Sequence, residues 1–167
     1  HVTGNPMFAN DYRKSNAAKE KLVLMCNRPD SEKCPLETLN LFERLKEYDS
    51  SWTFALTSSR KTLRSNSDDV IARICDMEAR GILEVHVGLS KSDYHAMLGR
   101  AFMTVSHSPE ESYGICIAES LIYNAIPLLK NTASHPEFIR YGARVFDTGE
   151  GNDFDTALSL MQAYSNA

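Results

Sequence analysis

The sequence lacks the ~18-residue apolar run that a membrane-crossing helix needs, so a spanning helix is excluded. It also lacks an excess of either charge: 18 Lys and Arg against 22 Asp and Glu leave a formal net charge of −4. A domain that wraps nucleic acid or an anionic membrane by bulk electrostatics is therefore not expected, although one basic pocket fits within that balance. Cysteine is scarce: Cys26, Cys34, Cys75 and Cys116 form no C-x-x-C pair. Three of the four sit in or beside apolar runs, where a free thiol behaves as a small hydrophobe. No disulfide framework is expected, and a reducing compartment follows. His86, His95, His107 and His135 are scattered without ligand spacing, so no metal site is expected. Internal repeats and low-complexity tracts are absent, as is a signal-peptide pattern. The chain opens on His1-Val2-Thr3-Gly4 rather than on Met, which reads as cut from something longer.

What remains is ordinary for one globular domain. The 167 residues are 43% apolar and 24% charged, enough to bury a full core without staples. A stretch to about Asn16 mixes Gly, Pro, Asn and charge without periodicity and reads as a connecting segment. Short apolar runs then alternate with helical spacing. Strands are expected at residues 21–26, 52–57, 83–87, 102–105, 126–129 and 145–146. Between them, Pro35 is placed to open a helix that carries Leu39, Phe42 and Leu45. Val70, Ile74 and Met77 mark a second helix, stopped by Gly81, and Ser90 caps a third. A fourth is expected over 114–123, with helical pieces near 136–141 and 154–164.

This alternation predicts an α/β fold: a Rossmann-like, doubly wound parallel sheet of about six strands with helices on both faces. In the strand order 3-2-1-4-5-6, strands 1 and 4 are neighbours and the chain reverses direction between them. Ligands in such sheets bind outside the carboxyl ends of the strands at that point. The loops after Cys26 and Val105 are where chemistry is expected.

After the first strand the chain reads Asn27-Arg28-Pro29-Asp30-Ser31-Glu32-Lys33. Two cations five residues apart can clamp a diphosphate, Arg28 by its planar fork and Lys33 as a point charge. Alone, the same loop reads first as a solvated run of mixed charge, since Asp30 and Glu32 lie between the two cations. After the fourth strand come Glu111-Ser112-Tyr113-Gly114-Ile115-Cys116-Ile117-Ala118-Glu119. Gly114 at a helix start lets backbone N–H groups approach an anion, and the helix dipole favours negative charge there. Glu119 can accept two hydrogen bonds from a ribose diol.

Together, Arg28 with Lys33 and Glu111 with Glu119 enclosing seven residues resemble the nucleotide-binding C-terminal domain of retaining GT-B glycosyltransferases (glycosyl transferases group 1). That family carries Gly-Arg-x4-Lys after its first strand and Glu-Gly-Phe-Gly-Leu-x-x-x-Glu after its fourth. The likeness covers roughly residues 20–142 and extends to Ile126-Pro127-Leu128 and Pro136-Glu137. Here Asn27, Cys34 and Ser112 stand where the family usually has Gly, and Asn124 stands near its helix-ending Gly. Asn tolerates left-handed backbone best among non-Gly residues, so Asn27 and Asn124 are expected to substitute in that conformation. Ser112 adds a hydroxyl near the phosphates.

The resemblance implies residues 1–18 as the end of an interdomain linker and 19–167 as a nucleotide-sugar (donor) binding domain. It implies a transferase moving a hexose-type sugar to an acceptor without metal or cofactor. Arg28 and Lys33 would neutralise the leaving diphosphate, helped by the N–H groups of Tyr113, Gly114 and Ile115. Glu111 would hold the donor sugar and Glu119 the ribose. The base would lie near residues 57–59 and 88–90. No protein nucleophile is implied. The implied partners are the donor and an N-terminal acceptor domain of the same parent chain, without which this chain transfers nothing. Nucleic acid is not among them. A cytoplasmic location is expected, with peripheral membrane attachment through the absent domain as the alternative. A GT-B sugar-nucleotide epimerase and a non-catalytic nucleotide-sugar-binding module share these features.

Overall fold

The apolar run after Lys21 forms a strand whose side chains alternate between two cores. On one side Val23 and Met25 join Leu39, Phe42, Ile74 and Met161; on the other Leu22 and Leu24 join Met97, Leu98 and Tyr123. A strand covered on both faces must be apolar throughout, which is why it reads as an unbroken run rather than an alternating one. Each such side chain contributes about 1.5–3 kcal/mol on burial.

The computed structural model describes residues 17–109, 114–132, 135–147 and 151–166. The expected linker therefore lies almost wholly outside the described residues. Strands β1 (Glu20–Met25), β2 (Thr53–Thr57), β3 (Glu84–His86), β4 (Ala101–Ser106), β5 (Ile126–Lys130) and β6 (Arg144–Phe146) alternate with five helices. These are α1 (Pro35–Tyr48), α2 (Asp68–Ala79), α3 (Lys91–Arg100), α4 (Ile115–Ile122) and α5 (Asn152–Ser165). The segment near residue 136 is a 3-10 helix, His135–Tyr141. Every strand pairing is parallel and the order is β3-β2-β1-β4-β5-β6, as the sequence pattern predicts. Helices α1, α2 and α5 cover one face of the sheet, and α3 with the end of α4 covers the other.

Local chemistry sets the boundaries. Pro35 opens α1, and Gly81 at φ +68° follows the end of α2. The Ser90 hydroxyl accepts the Asp93 N–H at 3.1 Å and starts α3. The Lys19 ammonium donates to the carbonyls of Leu98, Gly99 and Tyr123 at 3.3, 3.0 and 2.7 Å, closing the ends of α3 and α4 together. No helix of the described residues is long and apolar enough to cross a membrane.

Candidate functional site

A cleft of about 300 Å³ opens at the carboxyl ends of β1, β2 and β3, beside the β1/β4 switch point. Cys26 and Arg28 reach it from β1, and Thr57, Ser58, Ser59 and Arg60 from β2. Leu89 and Ser90 come from the turn before α3, Lys91 and Tyr94 from the start of α3, and Cys116 and Glu119 from α4. The turns after β2 and β3 form one wall because their backbones are stitched together. Ser58 N–H donates to His86 O at 2.8 Å, Gly88 N–H to Arg60 O at 2.7 Å, and Leu89 N–H to Ser58 O at 3.2 Å. Gly88 takes φ +70°, the left-handed conformation this crossing needs.

The floor of the cleft is uncharged. Burial, then the neighbouring Cys116, push the Cys26 thiol up to about 12, and burial likewise raises the Tyr94 phenol. Cys26 is therefore protonated and unsuited to nucleophilic attack. Among the described residues, the charged lining groups are three cations, Arg28, Arg60 and Lys91, and one acid, Glu119. In a chain of net charge −4 this is a local reversal of sign, suited to an anion that also carries hydroxyls.

The structure brings together Arg28, Glu119 and the two segments at 57–59 and 88–90. Arg28 is held at the rim, with Nη1 3.0 Å from Asp30 Oδ2 and Nη2 3.4 Å from Glu32 Oε1. Glu119 is 7% exposed, and its Oε1 lies 3.6 Å from His95 Nε2. Lys33 is not part of the cleft lining among the described residues; its ammonium donates instead to Ser108 Oγ at 3.4 Å, across to the segment leaving β4. Gly114 caps α4 with φ +57°, and Ile115 follows it, 45% exposed. Glu111, Ser112 and Tyr113 lie outside the described residues.

One conformational expectation is corrected. Asn124 does take left-handed backbone at φ +56°, but Asn27 does not; its amide donates to Ser106 Oγ at 2.5 Å and ties β1 to β4. The left-handed residue of that loop is Cys34, at φ +49°. It precedes Pro35, which disfavours right-handed helical backbone at the residue before it. Sequence reasoning also missed Arg60, Lys91 and Tyr94. Arg60 belongs to a polar Ser/Arg/Lys stretch and Lys91 to the start of the helix that Ser90 caps, and only the strand order places them over the switch point.

No known family profile matches the sequence, and no curated protein matches it. The backbone does match solved structures. An S. aureus TarM mutant in complex with Fondaparinux, alpha-GlcNAc-glycerol and UDP aligns with TM-score 0.75 at 17% identity, covering 93% of this chain and 31% of that one. The pneumococcal O-GlcNAc transferase GtfA, in complex with UDP and GlcNAc, aligns with TM-score 0.61 at 14% identity, over 92% of this chain and 29% of that one. The catalytic domain of starch synthase IV from Arabidopsis thaliana, bound to ADP and acarbose, gives 0.70 at 13%, over 92% and 33%. The fold is that of a GT-B half-domain. The chain spans about a third of the length of the structures it matches. Among the described residues no group of three or more His, Cys, Asp or Glu is placed to hold a metal ion.

Proposed function

We propose that this chain is the donor-binding half of a retaining, metal-independent glycosyltransferase that moves a hexose-type sugar from a nucleoside diphosphate sugar. The observation that carries the reading is the switch-point cleft, where Arg28, Arg60 and Lys91 surround an uncharged floor and Glu119 stands on the opposing helix. The GT-B half-domain fold supports it, as do the nucleotides bound in solved structures that share that fold.

In this reading the base enters between the turns after β2 and β3, and Glu119 accepts the ribose hydroxyls. Arg28 exchanges its acidic neighbours for the diphosphate, while Lys33 supplies positive charge from the other side of the β1–α1 loop. The N–H groups of Tyr113, Gly114 and Ile115 add fixed dipoles as the diphosphate leaves, and groups already oriented toward developing charge lower its barrier most. Glu111 holds the sugar. The acceptor, brought by an N-terminal domain, attacks from the face the diphosphate departs, so the chain needs no nucleophile of its own.

Calorimetry with UDP, GDP, ADP and inorganic pyrophosphate tests these roles. Arg28→Ala is expected to weaken every nucleoside diphosphate and pyrophosphate by about 1.5–3 kcal/mol, the scale of a charged hydrogen bond. Glu119→Ala is expected to weaken the nucleotides while leaving pyrophosphate unchanged. Equal affinities for wild type and both variants contradict the assignment.

A further inference from the structure

His107 follows β4 directly and is 5% exposed. Its Nδ1 lies 2.9 Å from Thr38 Oγ1 on α1, its Nε2 lies 3.1 Å from Asp153 Oδ2 on α5, and its ring centroid is 4.8 Å from that of Phe146 on β6. A carboxylate only accepts hydrogen bonds, so Nε2 carries the proton and the Thr38 hydroxyl donates to Nδ1. The neutral ring satisfies both partners at once. The next residue, Ser108, is fully buried and receives the Lys33 ammonium, and Thr38 sits on the helix that Lys33 leads into.

We propose that neutral His107 is a positioning residue of the donor site, holding α1, and with it Lys33, against the segment that leaves β4. This rests on the reading under Proposed function. The imidazole couples the β1–α1 and β4–α4 connections, between which that reading places the diphosphate. Protonation would make Nδ1 a donor, so the Thr38 hydroxyl would have to turn and accept instead of donating, and the pocket would have to hold a charge on a ring that is 5% exposed.

The groups around the ring set when that happens. Asp153 faces it from α5, with Arg44 of α1 3.9 Å from that carboxylate; Glu37 of α1, Lys130 of β5 and Asp147 after β6 line the same cavity of about 290 Å³. Burial is the largest influence and lowers the ring below its ordinary value, Asp153 and Glu37 oppose it, and Lys130 adds to it. The tie therefore holds at neutral pH and loosens in acid.

The test reads UDP-glucose affinity by calorimetry from about pH 7.5 into the acid range in which the ring takes its proton; this diester lacks the phosphate ionisation near pH 6 that UDP itself carries. Wild type is expected to lose about fivefold over that range, the scale on which one hydrogen bond matters, while His107→Gln binds more weakly and with a flat profile. The wild-type profile alone does not single out His107. Asp153→Asn does, because it removes the charge that favours the imidazolium and should move the midpoint to lower pH. Ring ¹⁵N shifts of wild type are expected to report Nε2–H at neutral pH. Tight binding that stays flat with pH, a midpoint unmoved by Asp153→Asn, or an Nδ1–H ring overturns the inference and leaves the donor site standing. No binding of UDP-glucose or of the GDP-, ADP- and dTDP-sugars at any pH overturns the donor-site reading and this inference with it.

Discussion

Arg28 meets counter-ions before any ligand arrives. Asp30 is 7% exposed, so its contact with the guanidinium is shielded, whereas Glu32 is exposed and its contact at 3.4 Å is a surface pair. Pairs of the second kind contribute about 0–1 kcal/mol and compete directly with phosphate. Glu32→Gln is therefore expected to strengthen nucleoside diphosphate binding by up to about fivefold with little change in folding, since it removes a competitor rather than a support. Affinity that falls on this substitution would mean Glu32 orients Arg28 instead of occupying it. Arg28 and Glu119 were legible in the sequence because each sits at a fixed offset from a strand end or helix start. Tyr94, Arg60 and His107 were not, because their neighbours come from other elements: His107 meets Thr38 69 positions and Asp153 46 positions away. No local pattern carries that information.

Two left-handed residues frame the elements that build the site, and they make opposite predictions. Gly114 begins α4 at φ +57°, and a Cβ there would sit 3.0 Å from Ile117 Cδ1 and 3.3 Å from Phe138 Cζ. Gly114→Ala combines backbone strain with crowding and is expected to cost about 1–3 kcal/mol and to weaken diphosphate binding. Cys34 already bears that backbone strain at φ +49°. Cys34→Gly is expected to be neutral or to stabilise by up to about 1 kcal/mol, the reverse of the usual cost of glycine. Urea denaturation of the two variants checks both signs. At this scale the sequence was most legible: the apolar runs, Pro35, Gly81 and Ser90 each act through their own backbone or next turn. Asn27 was misread because its side chain found Ser106 on the neighbouring strand, a sheet contact that outweighed its turn preference.

For the whole molecule, acid should act in two stages. Burial holds His107 below its ordinary 6.5, so the unfolded chain takes that proton first. The associated stability is complete above about pH 6.5 and is lost as pH falls through the folded value. Glu43 is held below its ordinary 4.5 chiefly by its hydrogen bond to Arg73, with Arg80 Nη2 2.6 Å from its other oxygen. Its stabilisation is complete above about pH 4.5 and disappears below the folded value. Urea midpoints should fall in both ranges, and His107→Gln should abolish the first decline alone. The sheet order was legible as a whole because short apolar strands alternating with helices leave few topologies for right-handed crossovers. Donor binding at the switch point of this sheet is read by a thermal-shift scan with UDP-, GDP-, ADP- and dTDP-sugars at millimolar concentration. A ligand at a hundredfold excess over Kd adds about 2.7 kcal/mol, and a chain of this size gains about 2–4 °C per kcal/mol. One base class is expected to raise Tm by about 5–10 °C, equally in magnesium and in EDTA. No shift with any of the four at saturating concentration would contradict it.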